Sequence, residues 1–207
     1  SLLAKIPAII AASYRHKIGK DFIPADSSLE FSENFFHMCF GEIPAKEVIK
    51  AFDVSLILYA EHSFNASTFT GRVITSTTSD IYSAVTGAIG ALKGPLHGGA
   101  NEQVMHMLKE VGAKENAEAW MLDALKNKKK IMGFGHRVYR SGDSRVPTMK
   151  KYALKTAKFT NNQALMETSG ILEETMVREK GIYPNLDFPA GPAYYMMGFE
   201  IEMFTPI

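Results

Sequence analysis

Three loops of the sequence each place one titratable side chain beside glycine or proline: His97 in KGPLHGG, His136 in GFGHRVY and Asp187 in YPNLDFP. A carboxylate can remove a proton from carbon, and a histidine can stabilise the enolate that develops beside a carbonyl group. A second histidine could polarise an electrophilic carbonyl. Two histidines and one carboxylate therefore suffice for enolisation next to a carbonyl.

The loop around His136 spans residues 133–145 and reads GFGHRVYRSGDSR; we call it the glycine loop. Its glycines let the backbone approach a ligand closely, and Arg137, Arg140 and Arg145 give it positive charge. Such a loop suits an anionic ligand that carries phosphates or carboxylates. A surface loop with solvated arginines is the alternative on composition alone.

The residues around His97 and Asp187 predict how each side chain is held. His97 precedes a predicted helix that starts after Gly98 and Gly99. The dipole of that helix disfavours a cationic ring at its N-terminus. A neutral imidazole at this position can still donate a hydrogen bond to a carbonyl. Phe188 precedes a proline, so we expect it to be extended and to fix the direction of Asp187. Aromatic neighbours could raise the pKa of that carboxyl. The alternative for both His97 and Asp187 is that the side chain only caps the N-terminus of a helix.

The composition excludes several classes of function. The chain has 207 residues, a formal net charge of +1 and a single cysteine, Cys39. The charge indicates no nucleic-acid or anionic-membrane partner, and one cysteine rules out an internal disulfide framework. No run of about 18 apolar residues predicts a membrane span. Because the histidines are dispersed and no HExxH or paired-cysteine pattern occurs, we expect no bound metal.

Apolar residues recur at helical spacing along the whole chain, and no long segment alternates with period two. The predicted fold class is therefore all-α, with many helices and short connections. Residues 65–76 are rich in Ser, Thr and β-branched residues and could form a strand, but their helical neighbours favour a helix. The predicted helices cover 2–16, 28–40, 44–61, 65–76, 81–92, 100–111, 115–126, 147–159, 163–180 and 191–199.

Four stretches resemble the citrate synthase family: AEHSFNASTFTGRV, GALKGPLHGGANEQV, KIMGFGHRVYRSGDSRVP and YPNLDFPAGPAYYMMGFEIEMFTPI. They follow the family's order through the whole chain. The GHRVY, GDSRVPTMK and NLDFPAGP forms look most like the 2-methylcitrate synthase branch. The resemblance implies an acyltransferase that condenses an acyl-CoA with oxaloacetate and then hydrolyses the thioester, giving citrate or 2-methylcitrate and free coenzyme A.

The resemblance also implies roles for individual residues. Asp187 would take the α-proton, His97 would hydrogen-bond the thioester carbonyl, and His136 would polarise the oxaloacetate ketone. His62 and Arg145 would bind oxaloacetate. No bound cofactor is implied, because the coenzyme A thioester, acetyl-CoA or propionyl-CoA, is itself a substrate. The implied coenzyme A contacts are Lys130, Ile131, Met132, Gly133, Phe134 and Arg140.

The architecture that the resemblance implies is a small helical domain, residues 99–189, inserted into a large one made of 1–98 and 190–207. It implies a cytoplasmic homodimer, or a mitochondrial-matrix one in a eukaryote, serving the tricarboxylic acid or methylcitrate cycle. The family continues past Ile207 with arginines for substrate carboxylates, and it also has an N-terminal segment before Ser1. We therefore expect the 207 residues alone to turn over poorly. The alternatives are a non-catalytic helical domain that binds coenzyme A, or a citryl-CoA cleavage module.

Overall fold

The computed structural model describes residues 1–207 except Glu61, Ser63, Arg137 and Arg140. The described residues confirm the all-α class, since their only extended pairing is an isolated bridge between Phe134 and Pro184. None of the described helices is long and apolar enough to cross a membrane. The helices are α1 Leu2–Lys17, α2 Phe31–Phe40, α3 Lys46–Tyr59, α4 Ala66–Ser76, α5 Ile81–Leu92, α6 Ala100–Val111, α7 Lys114–Lys126, α8 Val146–Phe159, α9 Gln163–Lys180 and α10 Asp187–Met196, followed by a 3-10 turn at Ile201–Met203.

Capping side chains decide where α4 and α5 begin. The Asn65 side chain accepts a hydrogen bond from the backbone N–H of Thr68, and the Asp80 side chain accepts one from the N–H of Ser83. Each bond satisfies a donor that the first turn of a helix leaves free. This local chemistry explains why residues 65–76 form a helix, as predicted, despite their β-branched content.

Helix α2 begins later than the predicted start at Ser27 and Ser28. Asp26 Oδ1 accepts hydrogen bonds from both the N–H and the hydroxyl of Ser28, which holds these residues in a turn. Glu30 and Glu33 instead form the reciprocal capping box that starts the helix at Phe31.

Aromatic packing joins α2, α3 and the C-terminal segment. Phe36 and Phe52 meet edge to face with their ring centroids 5.2 Å apart, and Phe199 lies 5.0 Å from Phe36 and 5.4 Å from Phe52. Tyr194 of α10 contacts Phe52 and stacks at 25° on Tyr59, the last residue of α3. Because aromatic pairs of this kind resist displacement, the C-terminal end of α3 has a fixed position against α10.

Helix α10 begins at Asp187, four residues before the predicted start at Gly191. Phe188 is therefore helical and not extended, although it precedes Pro189. Proline is tolerated in the first turn of a helix because its missing N–H would have no intrahelical acceptor there. The Asn185 side chain accepts a hydrogen bond from the Asp187 N–H at 3.1 Å. Helical geometry, and not an extended neighbour, thus sets the direction of Asp187.

Helices α6 and α10 approach each other closely at Gly191. A Cβ atom added there would lie 2.7 Å from the backbone carbonyl oxygen of Asn101 and 3.5 Å from Val104. The first distance is too short for any real Cβ, so only glycine permits this approach. The contact holds the start of α6, which follows His97, against the helix that begins with Asp187.

Gly191→Ala should therefore lower the free energy of unfolding by about 1–3 kcal/mol, since a backbone oxygen cannot move aside cheaply. Gly170→Ala in α9 is the matched control: an added Cβ meets nothing within 4 Å there, and alanine favours a helix by about 0.5–1 kcal/mol. Chemical denaturation of both variants measures the difference. Equal effects of the two substitutions would contradict the close approach.

Candidate functional site

Five side chains that the sequence singled out line one cavity of about 390 Å³: His62, His97, His136, Arg145 and Asp187. They come from segments far apart in the chain, and each lies in a loop or at the end of a helix, where binding and catalytic groups are commonly placed. Other polar side chains on the cavity wall are Tyr59, Asn65, Ser67, Asn101, Asn185, Tyr194 and Thr205.

The carboxyl of Asp187 lies at the cavity wall and is only partly exposed. The protein atoms around it raise its pKa to about 6, mainly by removing water from the charged form. The Tyr59 hydroxyl donates a hydrogen bond to Oδ1 at 2.7 Å, and this bond together with the positive charge of Arg145 limits the rise. The result is a carboxylate that is ionised at neutral pH yet basic enough to take a proton.

His136 is held as a neutral donor by the backbone of its own loop. Its Nδ1 accepts hydrogen bonds from the backbone N–H groups of Val138 at 3.0 Å and Tyr139 at 3.3 Å. Burial, and to a lesser degree His62 and Arg145, lower the pKa of the ring, while Asp143 opposes them. The proton of the neutral ring then resides on Nε2, which can donate to a carbonyl oxygen.

His97 is also neutral, and Ser67 determines where its proton lies. The ring Nε2 accepts a hydrogen bond from the Ser67 N–H at 3.3 Å and lies 2.9 Å from the Ser67 hydroxyl oxygen. Burial lowers the pKa of the ring. Because Nε2 is an acceptor, the neutral ring carries its proton on Nδ1. His97 lies just before α6, as predicted, and Ser67 is a partner that the sequence reasoning missed.

Arg145 is held rigidly by a buried carboxylate. The Asp143 side chain is 0% exposed and accepts hydrogen bonds from Arg145 Nε at 3.0 Å and Nη2 at 2.7 Å. Arg145 Nη1 lies 3.4 Å from the carbonyl oxygen of Leu58. Burial alone would raise the pKa of Asp143, but the hydrogen bonds and charge of Arg145 and the N–H of Leu186 lower it. The sequence analysis gave Asp143 no role beyond its place in the glycine loop.

His62 joins the site through the glycine loop. Its Nε2 lies 2.9 Å from the hydroxyl oxygen of Tyr139, and its ring meets that of His136 at 78° with centroids 4.8 Å apart. His62 lies beyond the end of α3 at Tyr59 and not within the helix. The imidazoles of His62 and His136 therefore lie side by side at the cavity wall, and the Tyr139 hydroxyl contacts His62.

The glycine loop is attached to the segment before α10 by main-chain hydrogen bonds. The Gly135 N–H donates to the Tyr183 carbonyl, and the Asn185 N–H donates to the Gly133 carbonyl, each at 2.9 Å. The Asn185 side-chain amide also donates to the Gly135 carbonyl at 2.9 Å. These bonds hold the loop of His136 and the segment before Asp187 as one unit.

The stretch predicted to contact coenzyme A leads into this loop. Lys130 is exposed, and Ile131, Met132 and Phe134 are half-buried against the core. Gly133 is buried with φ +83°, and an added Cβ there would lie 2.5 Å from Val104, so this glycine serves internal packing. Arg140, the remaining predicted contact, lies outside the described residues.

Besides Ser67, the sequence reasoning missed three side chains of the site. Tyr59 is 128 positions from Asp187 in the chain, so no local pattern could pair them. Asp143 precedes Arg145 by two residues, and that spacing was the one available signal. Asn101 is 4% exposed, and its Oδ1 has no hydrogen-bond partner among the described residues.

The chain matches the family model described as citrate synthase, C-terminal domain, over residues 1–207. It is 56% identical over 206 residues to a 2-methylcitrate synthase of Mycobacterium tuberculosis, and the match covers 100% of this chain and 52% of that protein. It is 55% identical to a citrate synthase of Mycolicibacterium smegmatis, covering 100% of this chain and 55% of that protein. The chain thus spans about half the length of the curated relatives it matches.

Among solved structures, the fold is similar to the ternary complex of citrate synthase from Thermoplasma acidophilum with carboxymethyl coenzyme A and oxaloacetate. The TM-score is 0.93 at 37% identity, and the match covers 99% of this chain and 56% of that one. The sequence comparison and the fold comparison therefore both relate this chain to citrate synthases.

Asp187→Asn should stabilise the folded protein at neutral pH. Below the unfolded pKa the carboxyl is neutral in both states and carries no penalty. As pH rises towards its folded pKa of about 6, ionisation favours the unfolded state, by at most about 3 kcal/mol and less where cavity water reaches the group. The variant and the wild type should be equally stable below pH 4, differ increasingly between pH 4 and pH 6, and keep a constant difference at higher pH in denaturation curves.

Asp80→Asn is the control for this stability measurement. Hydrogen bonds from Ser83 lower the pKa of Asp80, so its ionisation favours folding and the pH dependence of the difference should have the opposite sign. A wild type as stable as Asp187→Asn at pH 8 would show that Asp187 is not desolvated.

Proposed function

The chain belongs to the citrate synthase family, and we propose on that basis that the protein condenses an acyl-CoA thioester with oxaloacetate to give citrate or 2-methylcitrate and free coenzyme A. One structural observation supports the proposal independently of sequence similarity. The Asp187 carboxyl, with a pKa of about 6, lies in the same cavity as the neutral histidines His97 and His136. A base with a pKa near the working pH is suited to proton abstraction from carbon.

The first step is enolisation of the thioester. The Asp187 carboxylate removes a proton from the carbon next to the thioester carbonyl, and the electron pair of the broken C–H bond passes to the carbonyl oxygen. His97 hydrogen-bonds that oxygen and stabilises the enol or enolate, as a neutral donor suits an oxygen of developing charge. Its bond to Ser67 sets the tautomer in which the ring can donate.

The second step forms the new carbon–carbon bond. The enol carbon attacks the ketone carbon of oxaloacetate, and His136 Nε2 donates its hydrogen bond and then its proton to the ketone oxygen. Water then cleaves the thioester, which releases the thiol of coenzyme A and the product carboxylate. No bound cofactor enters these steps, since coenzyme A is carried by the substrate.

His62 and Arg145 bind oxaloacetate in this proposal. Arg145 reaches the cavity with its Nε and Nη2 edge occupied by Asp143. Its Nη1 makes only a long contact of 3.4 Å with the Leu58 carbonyl oxygen, so we assign the N–H groups of the Nη1 edge to a substrate carboxylate. A guanidinium can donate two parallel hydrogen bonds to one carboxylate, which a lysine cannot reproduce. His62 lies beside His136 and would bind the substrate next to the ketone.

Residues 130–134 and Arg140 contact coenzyme A in this proposal. Lys130 offers a positive charge for phosphate, and the glycine loop that follows carries His136, which binds the ketone of oxaloacetate. Residues 99–189 form the small domain and residues 1–98 and 190–207 belong to the large one. Closure of one on the other would exclude water during enolisation. The proposed location of the reaction is the cytoplasm, or the mitochondrial matrix in a eukaryote.

Coenzyme A release tests the proposal directly. The full-length protein with oxaloacetate and either acetyl-CoA or propionyl-CoA should release one thiol per product formed. Asp187→Asn should reduce turnover by roughly 10²–10⁴-fold, the usual contribution of a positioned base, with oxaloacetate affinity little changed in calorimetry. The acid limb of kcat/KM should lie near pH 6, where the base loses its charge.

Asp80→Asn should keep wild-type turnover, because Asp80 does not line the cavity. Turnover of Asp187→Asn within tenfold of wild type would remove Asp187 from the role of base. Formation of acetyl-CoA and oxaloacetate from citryl-CoA, with no free thiol and no condensation, would favour the cleavage module. Binding of coenzyme A without any turnover would favour a non-catalytic domain.

A homodimer is the second part of the proposal, and helices α4 and α5 would form its interface. The two helices pack along each other, yet among their residues Ala84 alone is buried. Large apolar side chains on the pair are exposed, namely Phe69, Val73, Ile81, Tyr82 and Ile89. Several large exposed apolar side chains on one helix pair are typical of an association site, and a second copy offers the matching face by two-fold symmetry.

Val73→Glu combined with Ile89→Glu should convert the dimer to a monomer, because two buried and unpaired charges per subunit oppose association. Sedimentation velocity reports the mass. Leu122→Glu is the control, since Leu122 is an exposed apolar side chain on α7, and it should leave the mass unchanged. A double variant with the wild-type mass would place the interface elsewhere.

A further inference from the structure

A single buried carboxylate connects the two segments that carry Arg145 and Asp187. Asp143 Oδ1 accepts hydrogen bonds from the Arg145 backbone N–H and from Arg145 Nε, both at 3.0 Å. Asp143 Oδ2 accepts from Arg145 Nη2 at 2.7 Å and from the backbone N–H of Leu186 at 3.1 Å. The side chain is 0% exposed, so all four bonds form away from water.

The bond to Leu186 bears directly on the base. Leu186 is the N-cap residue of α10, and Asp187 is the first residue of that helix. A hydrogen bond to the N-cap N–H fixes the position at which α10 starts. The same carboxylate therefore determines where the Arg145 guanidinium lies and where the Asp187 side chain leaves the backbone.

Charge balance gives Asp143 a second effect on Asp187. The positive charge of Arg145 lowers the pKa of Asp187, and the negative charge of Asp143 raises it. The buried pair therefore presents little net charge to the base. Without Asp143, Arg145 would act on Asp187 uncompensated and would make it a weaker base.

We propose that Asp143 is a positioning residue that sets the geometry of Arg145 and Asp187 together and shields Asp187 from the charge of Arg145. The inference rests on the proposed function, because it assigns Asp143 to the same reaction. Asp143 does not line the cavity and acts through its two partners.

Several other groups face Asp187 and have to be considered in a pH experiment. The Tyr59 hydroxyl of α3 donates to the carboxylate and lowers its pKa, and Tyr194 of α10 lies close enough for the Asp187 charge to raise its own pKa. The remaining titratable groups of the cavity are His62, His97 and His136. Tyr59 is the useful comparison, since its removal should have the opposite effect to removal of Asp143.

The test compares Asp143→Asn, Asp143→Glu and Tyr59→Phe in the full-length protein. Asp143→Asn should lower kcat at least tenfold, raise KM for oxaloacetate and move the acid limb of kcat/KM down by roughly one pH unit, as an uncompensated positive charge does. Tyr59→Phe should move the acid limb of kcat/KM to higher pH, because the Asp187 carboxylate loses a hydrogen bond. Asp143→Glu keeps the negative charge but shifts the position of the carboxylate. We therefore expect kcat to fall while the acid limb of kcat/KM stays at the same pH.

Carboxyl ¹³C titration of Asp187 in the unliganded protein supplies a readout that does not depend on turnover. The pKa should fall in Asp143→Asn and rise in Tyr59→Phe. If the Asn variant failed to fold, the Glu variant would still decide the positioning part, since wild-type kcat and KM there would overturn it. An unchanged Asp187 pKa and acid limb in a folded Asp143→Asn would reduce Asp143 to a structural role and overturn the inference. A wild type that releases no thiol would defeat the proposed function, while the ¹³C titration would still decide whether Asp143 shields Asp187.

Discussion

The Asp187 carboxyl has to lose most of its water and still keep its position, and this constraint shapes the elements around it. Desolvation raises its pKa to about 6, which costs folding stability at neutral pH. The aromatic contacts of Tyr59 and Tyr194 with the cluster of α2 and α3 hold the wall behind it. The close approach of α6 and α10 at Gly191 holds the other side. A rigid core thus maintains an unfavourable environment for one charged group.

The buried ion pair of Asp143 and Arg145, next to the Asp187 carboxyl, shows how the fold tolerates buried charge. Removing Asp143 and Arg145 from water would be costly for either alone. Their double hydrogen bond, with the Leu186 N–H as a further donor, satisfies the carboxylate completely. The pair also ties the glycine loop to α10, so that one set of polar contacts fixes two of the groups that face the cavity.

The two histidines obtain their protonation states from uncharged partners. Backbone N–H groups bind Nδ1 of His136, and Ser67 binds Nε2 of His97. Both rings are partly buried, which disfavours the imidazolium. Neutral rings with a defined donor nitrogen are preorganised to stabilise charge that develops on a carbonyl oxygen, and they need no rearrangement at the moment of reaction.

The sequence by itself determined the all-α class and most helix spans, because helical periodicity and capping residues are local signals. The glycine and proline loops singled out His97, His136 and Asp187, whereas His62 and the role of Arg145 came only from the family resemblance. Local rules failed at α10, where the residue before Pro189 was expected to be extended and is helical. Tyr59, Asn101 and the role of Asp143 depended on contacts between distant segments. Only the tertiary structure could decide them, because the pKa of Asp187 and the hold on Arg145 arise from burial and from partners up to 128 positions away.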